Sequence, residues 1–372
     1  MTQPAETKSP VVMSGRESQS RWRRPSPFLL PLAAVFRAAV ALRHAAYRRG
    51  WLKTQHLTRP VISVGNLTVG GTGKTPIVAW IVRRLLASGH KPSILTRGYG
   101  RRGTRMIVLA PERGRIPDPR EVGDEPAWLA RELPEAPIIV AADRFEAGHV
   151  AEERFKVDIH VLDDGFSHLA LARDIDLVIL DSTVDLRREA LLPAGRRREP
   201  CEALARADLV VLTRTEIADP APLEARIRDA NPHVRVFHSR TKLCRLVEVW
   251  SGAAQAPDAL KEKPVYAFCG IGNPGAFLSN LQGWGFPIAG FESFRDHHVY
   301  RDAELRQLSA RARESGAGAL VTTEKDTMNF PANWSAELPV VGCAIEAEIR
   351  ETQAFEDALL ASLRGRDKER AR

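Results

Sequence analysis

Short aliphatic and β-branched runs recur along this chain, separated by segments of helical length. Residues 58–64 (TRPVISV), 92–96, 138–141, 158–162, 176–180 and 208–213 are such runs, and residues 76–88 carry helical periodicity. Strands alternating with helices in this way predict a parallel sheet covered on both faces. A second set begins near residue 235, with strands predicted at 265–269, 287–291, 319–322 and 339–342 and helices around 278–281 and 303–315. The expected organisation is a lead-in at 1–25, an amphipathic helix within 26–55, a core α/β domain over 56–235, a smaller α/β domain over 236–350, and a final helix with a charged tail over 351–372.

The longest apolar stretch departs from this pattern. Residues 28–47 (FLLPLAAVFRAAVALRHAAY) are interrupted by Pro31, Arg37, Arg43 and His44. A bilayer-spanning helix needs about 20 apolar residues with few charges, so the stretch reads instead as an interfacial helix. Helical spacing groups Arg37, His44 and Arg48 on one face. Leu32, Val35, Phe36, Ala39, Leu42 and Ala46 lie mostly on the other, which suits a helix lying in a bilayer surface with its cations at anionic headgroups. The preceding polar residues, rich in Ser, Arg and Pro, are expected to be disordered.

Composition narrows the partners. The 372 residues are 44% hydrophobic and 27% charged, with a net charge of +8. The length predicts two domains, and the positive balance favours acidic partners such as anionic lipid or phosphorylated substrate. No recognised nucleic-acid-binding module is visible. The four cysteines (Cys201, Cys244, Cys269 and Cys343) form no CxxC pair, and read as reduced core residues of a cytoplasmic protein rather than a zinc site or a nucleophile.

The strongest chemical signal is residues 68–75, TVGGTGKT, between a predicted strand and a predicted helix. Thr68, Val69, Gly70, Gly71, Thr72 and Gly73 form a loop whose backbone N–H groups can wrap phosphate oxygens at a helix N-terminus. Lys74 reaches the terminal phosphates, and Thr75 offers a hydroxyl to Mg²⁺. Thr68 stands where the strict pattern has glycine. ATP and Mg²⁺ are therefore the expected cofactors. A carboxylate is needed at a neighbouring strand end, and Asp163-Asp164, closing the run DIHVLDDG, supplies it. The fold class follows: α/β, a P-loop NTPase-like parallel-sheet domain with a second, smaller α/β domain and an N-terminal membrane-interface helix.

Other segments carry chemistry less specifically. Residues 122–126 (VGDEP) could hold a base or simply start a helix. Residues 294–300 (FRDHHVY) set His beside a carboxylate, as proton handling requires. Residues 191–200 (LLPAGRRREP), 96–101 (TRGYGR) and Asp143-Arg144 could bind phosphate. Residues 270–275 (GIGNPG) match a dinucleotide fingerprint but read better as a tight turn. A GTPase switch is disfavoured because TEKD (323–326) lacks the spacing of NKxD.

Together GNLTVGGTGKTP, LTRGYGRR, VGDEP, DDGFSH, LLPAGRRREP, FCGIGNPGAF, FRDHHVY and TEKDTMNF resemble the tetraacyldisaccharide 4′-kinase family, the lipid A kinases also called LpxK. They run in family order from about residue 60 to 330. The resemblance implies phosphorylation of the 4′-hydroxyl of a tetraacyldisaccharide 1-phosphate, a lipid A precursor, at the cytoplasmic face of the bacterial inner membrane. It implies an aspartate–histidine pair that activates the hydroxyl, falling on Asp124 and on His297, with adjacent His298 as the alternative. It also implies that Asp163 and Asp164 serve the metal and catalytic site, and that Arg144, His168, Arg198 and Glu199 lie near nucleotide or substrate. Ser167 replaces the Gln of the family's DDGFQH. Because Asp124 and His297 belong to different expected domains, closure on nucleotide binding is expected.

Overall fold

The computed structural model describes residues 27–111, 118–331, 334 and 336–370, with side chains to 363; the expected disordered lead-in lies outside the described residues. The described residues divide into two compact units, one of residues 27–242 with 346–370 and one of Leu243–Ile345.

In the larger unit, α1 (Leu30–Arg48) precedes β1 (Val61–Gly65). The chain then runs α2 (Lys74–Ala87), β2 (Pro92–Thr96), β3 (Ile107–Leu109), α3 (Pro119–Val122), α4 (Asp124–Glu132) and β4 (Ile138–Val140). It continues through α5 (Arg144–Phe155), β5 (Ile159–Asp163), β6 (Ile175–Asp181), β7 (Leu209–Thr213), α6 (Ala221–Ala230) and the start of β8 (Arg235–Glu248). The sheet order is β3-β4-β2-β5-β1-β6-β7-β8. Every pair is parallel except β3 with β4. The central strands are buried on both faces, which is why they read as continuous apolar runs.

Helix α2 holds to the sheet because Ile77, Ile81 and Leu85 recur at helical spacing and are fully buried. Each such side chain contributes about 1.5–3 kcal/mol of transfer free energy. On one sheet face Leu95, Ile139 and Leu162 pack with Ala147 and Ala151 of α5. Another cluster joins Leu67, Phe166, Val178, Val210 and Leu212 to Leu223 and Ile227 of α6. The final helix α10 (Thr352–Arg370) returns to this unit, where Phe355 meets Trp80 and Phe237 with centroids 5.3 and 5.0 Å apart.

The smaller unit contains the remainder of β8, β9 (Ala254–Gln255), β10 (Val265–Cys269), α7 (Pro274–Gly283) and β11 (Ile288–Ser293). They are followed by α8 (Asp302–Glu314), β12 (Ala319–Thr323), α9 (Glu324–Thr327) and most of β13 (Val340–Ile349). Strands β11-β10-β12-β13 pair in parallel. Alternate strand residues face opposite helices: Val265, Ala267 and Val321 pack with Phe277 and Leu281, whereas Tyr266, Phe268 and Leu320 pack with Leu305 and Leu308.

Helix α1 packs on the larger unit through a mixed face: His44 lies 3.0 Å from the buried Glu199, and Arg37, itself exposed, reaches Glu202 at 3.2 Å. Ala33, with Leu29 and Phe36, packs on Leu191 and Ala194. The opposite, apolar side is exposed, including Phe28 (91%), Val35 (67%) and Leu42 (64%). Part of the apolar surface of the helix therefore meets solvent.

Candidate active site

Strand β1 ends beside β5, with Val64 in register with Asp163. The phosphate-type loop 68–75 therefore starts next to the strand end that carries the acidic pair. Within it Gly70 and Gly73 have φ of 103° and 79°, values that side-chain-bearing residues adopt only under strain. Gly73 caps α2 without any side-chain hydrogen bond. The first-turn N–H groups thus have no acceptor from the cap residue, which is what an anion-binding helix start requires.

Neighbouring segments brace the loop. Asn66 donates to the Thr72 hydroxyl at 3.1 Å, and the Thr213 hydroxyl donates to the Thr72 carbonyl at 2.7 Å. The arginine-rich segment contributes backbone support: Val69 N donates to Arg196 O at 2.8 Å and Arg198 N to Leu67 O at 2.7 Å. Asn66 and Thr213 were not singled out by sequence. Asn66 sits inside the recognisable GNLTVGG segment, whereas nothing local marks Thr213.

The two aspartates have different environments. Asp164, in a left-handed backbone conformation with φ of 57°, receives Lys74 Nζ at 2.6 Å. Arg198 grips both of its oxygens at 2.7 Å and also donates to Asn66. Burial pushes the Asp164 carboxyl up, but Lys74 and Arg198 outweigh it and hold it well below the usual carboxylate range. Asp163 has less support: Oδ2 accepts from Thr96 at 3.1 Å, while Oδ1 is buried with no hydrogen-bond partner. Burial, opposed by Lys74 but reinforced by Glu125 and Asp164, pushes its carboxyl up to about 6. An orphaned, buried carboxylate oxygen fits a cation ligand. Among the described residues no group of three or more His, Cys, Asp or Glu side chains gathers as a metal cage. A P-loop cation needs none, because a hydroxyl, a carboxylate and nucleotide phosphates supply its ligands.

Asp124 opens α4 and is buried, its Oδ1 accepting from Glu125 N at 2.9 Å. The preceding turn needs glycine on both sides of a close approach. A Cβ on Gly98 would meet Val122 O at 2.4 Å, and one on Gly123, whose φ is 97°, would meet Tyr99 O at 2.9 Å. The 96–101 loop thus fixes the 122–125 loop, and the influence of Glu125 on Asp163 marks that loop as part of the same electrostatic site.

Arg144 starts α5 behind its Asp143 cap and donates to Ala142 O at 2.7 Å. Burial and the nearby Arg97 lower its pKa, while Asp163 and Asp164 act in the opposite direction. Burial, with Arg144, Arg173 and Arg43, takes His168 down to about 4, so it is neutral at physiological pH. Glu199 points away from Asp164: it is buried, approached by His44 at 3.0 Å and by Arg206 at 3.8 Å.

His297 belongs to the smaller unit. It has φ of 59°, and its N–H donates to Gly270 O at 3.0 Å. The adjacent His298 stacks on Phe294 with centroids 4.7 Å apart, packs edge-on against Tyr300, and contacts Glu304 at 3.1 Å. Packing therefore engages His298 on several sides. The GIGNPG segment is a turn into α7 capped by Asn273, whose side chain accepts from Ala276 N.

A glycine-lined loop between strand and helix, its lysine, and an acidic strand end define a P-loop phosphotransferase site. Residues 25–364 match the family model for LpxK, tetraacyldisaccharide-1-P 4′-kinase. The chain belongs to this family. The tetraacyldisaccharide 4′-kinase of Geobacter metallireducens is 39% identical over 334 residues, covering 89% of this chain and 96% of that protein. That of Anaeromyxobacter dehalogenans is 40% identical over 328 residues, covering 86% of each. The crystal structure of the "apo" form of LpxK from Aquifex aeolicus in complex with ATP is 31% identical. It superposes with a TM-score of 0.72, covering 90% of this chain and 98% of that one.

Proposed function

We propose that this protein transfers the γ-phosphoryl group of ATP to the 4′-hydroxyl of a tetraacyldisaccharide 1-phosphate, forming the 4′-phosphate in lipid A biosynthesis. The observation that carries the reading is the joint placement, in one unit of a chain matched along most of its length by the kinase family, of loop 68–75, the Asp163–Asp164 pair and the Asp124 loop. Incubation with γ-labelled ATP and the tetraacyldisaccharide 1-phosphate tests it. Label must appear on the 4′-oxygen; ATP hydrolysis without labelled lipid would refute the assignment.

In the reaction the 4′-oxygen forms a bond to the γ-phosphorus as the bond to the β–γ bridging oxygen breaks, releasing ADP. Asp124 accepts the hydroxyl proton in this proposal. Lys74 exchanges Asp164 for the nucleotide's terminal phosphates, leaving Asp164 held by Arg198. Thr75 and Asp163 would hold Mg²⁺, which supplies charge to the β- and γ-phosphates.

Asp163 gives this a pH signature. Its pKa is higher in the folded than in the unfolded protein, so the folded state binds the proton more tightly and loses relative stability as pH rises from about 4 to 6. Above that window the carboxylate is charged and buried, and a cation offsets the penalty. Mg²⁺ should therefore raise the melting temperature more at pH 8 than at pH 5, and Asp163→Asn should abolish the difference. Equal shifts at both pH values would exclude Asp163 as a ligand.

Residues Pro27–Arg48 are long and apolar enough to cross a bilayer by length and composition. Because Ala33, Phe36 and His44 hold one face to the larger unit and Leu32, Val35 and Leu42 are left exposed, we assign the exposed face to the surface of a membrane, the cytoplasmic leaflet of the inner membrane, where the acylated substrate resides. Replacing Leu32 and Val35 together by Glu should weaken vesicle co-sedimentation by at least about tenfold, since hydrocarbon burial supplies the binding. Unchanged partitioning would remove this helix as the membrane contact.

A further inference from the structure

Two residues on the inward face of α1 reach the segments that carry Asp164 and its arginine. Arg43 Nη2 donates to the Ser167 carbonyl at 2.8 Å, in the turn that follows Asp164. His44 Nε2 lies 3.0 Å from Glu199, the residue after Arg198. The backbone N–H groups of Arg198 and Glu199 both donate to the Leu67 carbonyl, at 2.7 and 3.3 Å, at the entrance to the phosphate loop. From this pinned segment one side chain goes to Asp164 and the other to the helix.

These contacts are not needed merely to attach the helix, which already has an apolar seam and the Arg37–Glu202 pair. Glu199 is only 1% exposed and its Oε2 has no aligned hydrogen-bond donor, so His44 at 3.0 Å and Arg206 at 3.8 Å are what polar company that oxygen has; taking His44 away leaves the buried carboxylate less well solvated and strains the segment that bears it. We propose that Arg43 and His44 are positioning residues for the nucleotide site. By holding Ser167 and Glu199 they set Asp164 and Arg198, so docking of the helix that faces the bilayer raises affinity for ATP. By linkage, nucleotide tightens helix docking in return. The idea rests on ATP being the ligand of loop 68–75, and extends that reading to a route between the membrane-facing element and the site.

The test measures binding of a non-hydrolysable ATP analogue to the full chain in detergent micelles, alongside KM for ATP and kcat. His44→Ala should weaken binding about tenfold, within the range of measured couplings, and raise KM while kcat at saturating ATP changes little. His44→Gln, which keeps an N–H donor, should restore most of the affinity. Arg37→Ala, which removes only the contact with Glu202, should bind as wild type does. Should His44→Ala melt early, Arg43→Gln reads the same contact from the Ser167 side. Wild-type affinity in both His44→Ala and Arg43→Gln would overturn the proposal. So would an equal loss in Arg37→Ala, which would reflect helix attachment in general. Failure of the wild-type chain to bind the analogue would instead refute the ATP assignment.

Discussion

Lys74→Ala should lower kcat/KM for phosphoryl transfer by about 10³-fold or more, the scale of removing a preorganised charge from a transition state. In the structure Lys74 Nζ sits 2.6 Å from Asp164 and also lowers the pKa of Asp163. The lysine therefore offsets charge on the acidic pair, and in the proposed reaction it supplies charge to the departing and transferring phosphates. Its loss should also raise the Asp163 pKa further, because burial would then act against less positive charge. Arg198 still holds Asp164 through two hydrogen bonds, so the variant should stay folded. Steady-state kinetics with a thermal melt check this; near-normal turnover in a folded Lys74→Ala protein would eliminate the phosphate-loop mechanism.

Asp124→Asn should reduce kcat by about 10²–10⁴-fold, the usual worth of a positioned general base, with ATP affinity nearly unchanged. The amide preserves shape and can still accept from Glu125 N, as Asp124 Oδ1 does at 2.9 Å. What the variant loses is the ability to take a proton. It also loses some helix-dipole stabilisation at the start of α4, about 0.3–1 kcal/mol, too little to unfold the unit. Parallel measurement of kcat and of ATP dissociation separates the roles. If affinity falls as far as turnover, Asp124 is a nucleotide or metal residue and another base must be sought.

Much of the fold could be read directly. The strands predicted at 92–96 and 265–269 are found with those bounds, β5 and β6 differ from expectation by one residue at each end, and β7 by one residue at its start. They were legible because both faces are buried and the whole run must be apolar. Strand β8 was not, since RVFHSRTKLCRLVE alternates buried and exposed positions and carries several cations. Reading uninterrupted apolar runs as strands passes over such a strand. Strand β3 was too short to register against its antiparallel neighbour.

The same division holds at the site. Residues 68–75 by themselves determined a phosphate loop, because glycines in left-handed conformations and a helix start are local properties, and the ordered set of motifs carried the resemblance to the family. Which aspartate is saturated and which has an unsatisfied oxygen was decided only in three dimensions. Lys74 is 90 positions from Asp164 and Arg198 is 34, and both choose Asp164. Tertiary structure likewise decided which face of α1 meets solvent. Periodicity separates a cationic from an apolar face, but which of their residues pack was set by distant partners: His44 meets Glu199, and Ala33 and Phe36 meet Leu191 and Ala194, while Leu32, Val35 and Leu42 stay exposed. Local patterns specify the shape of a segment; its electrostatic partners depend on where distant segments fold.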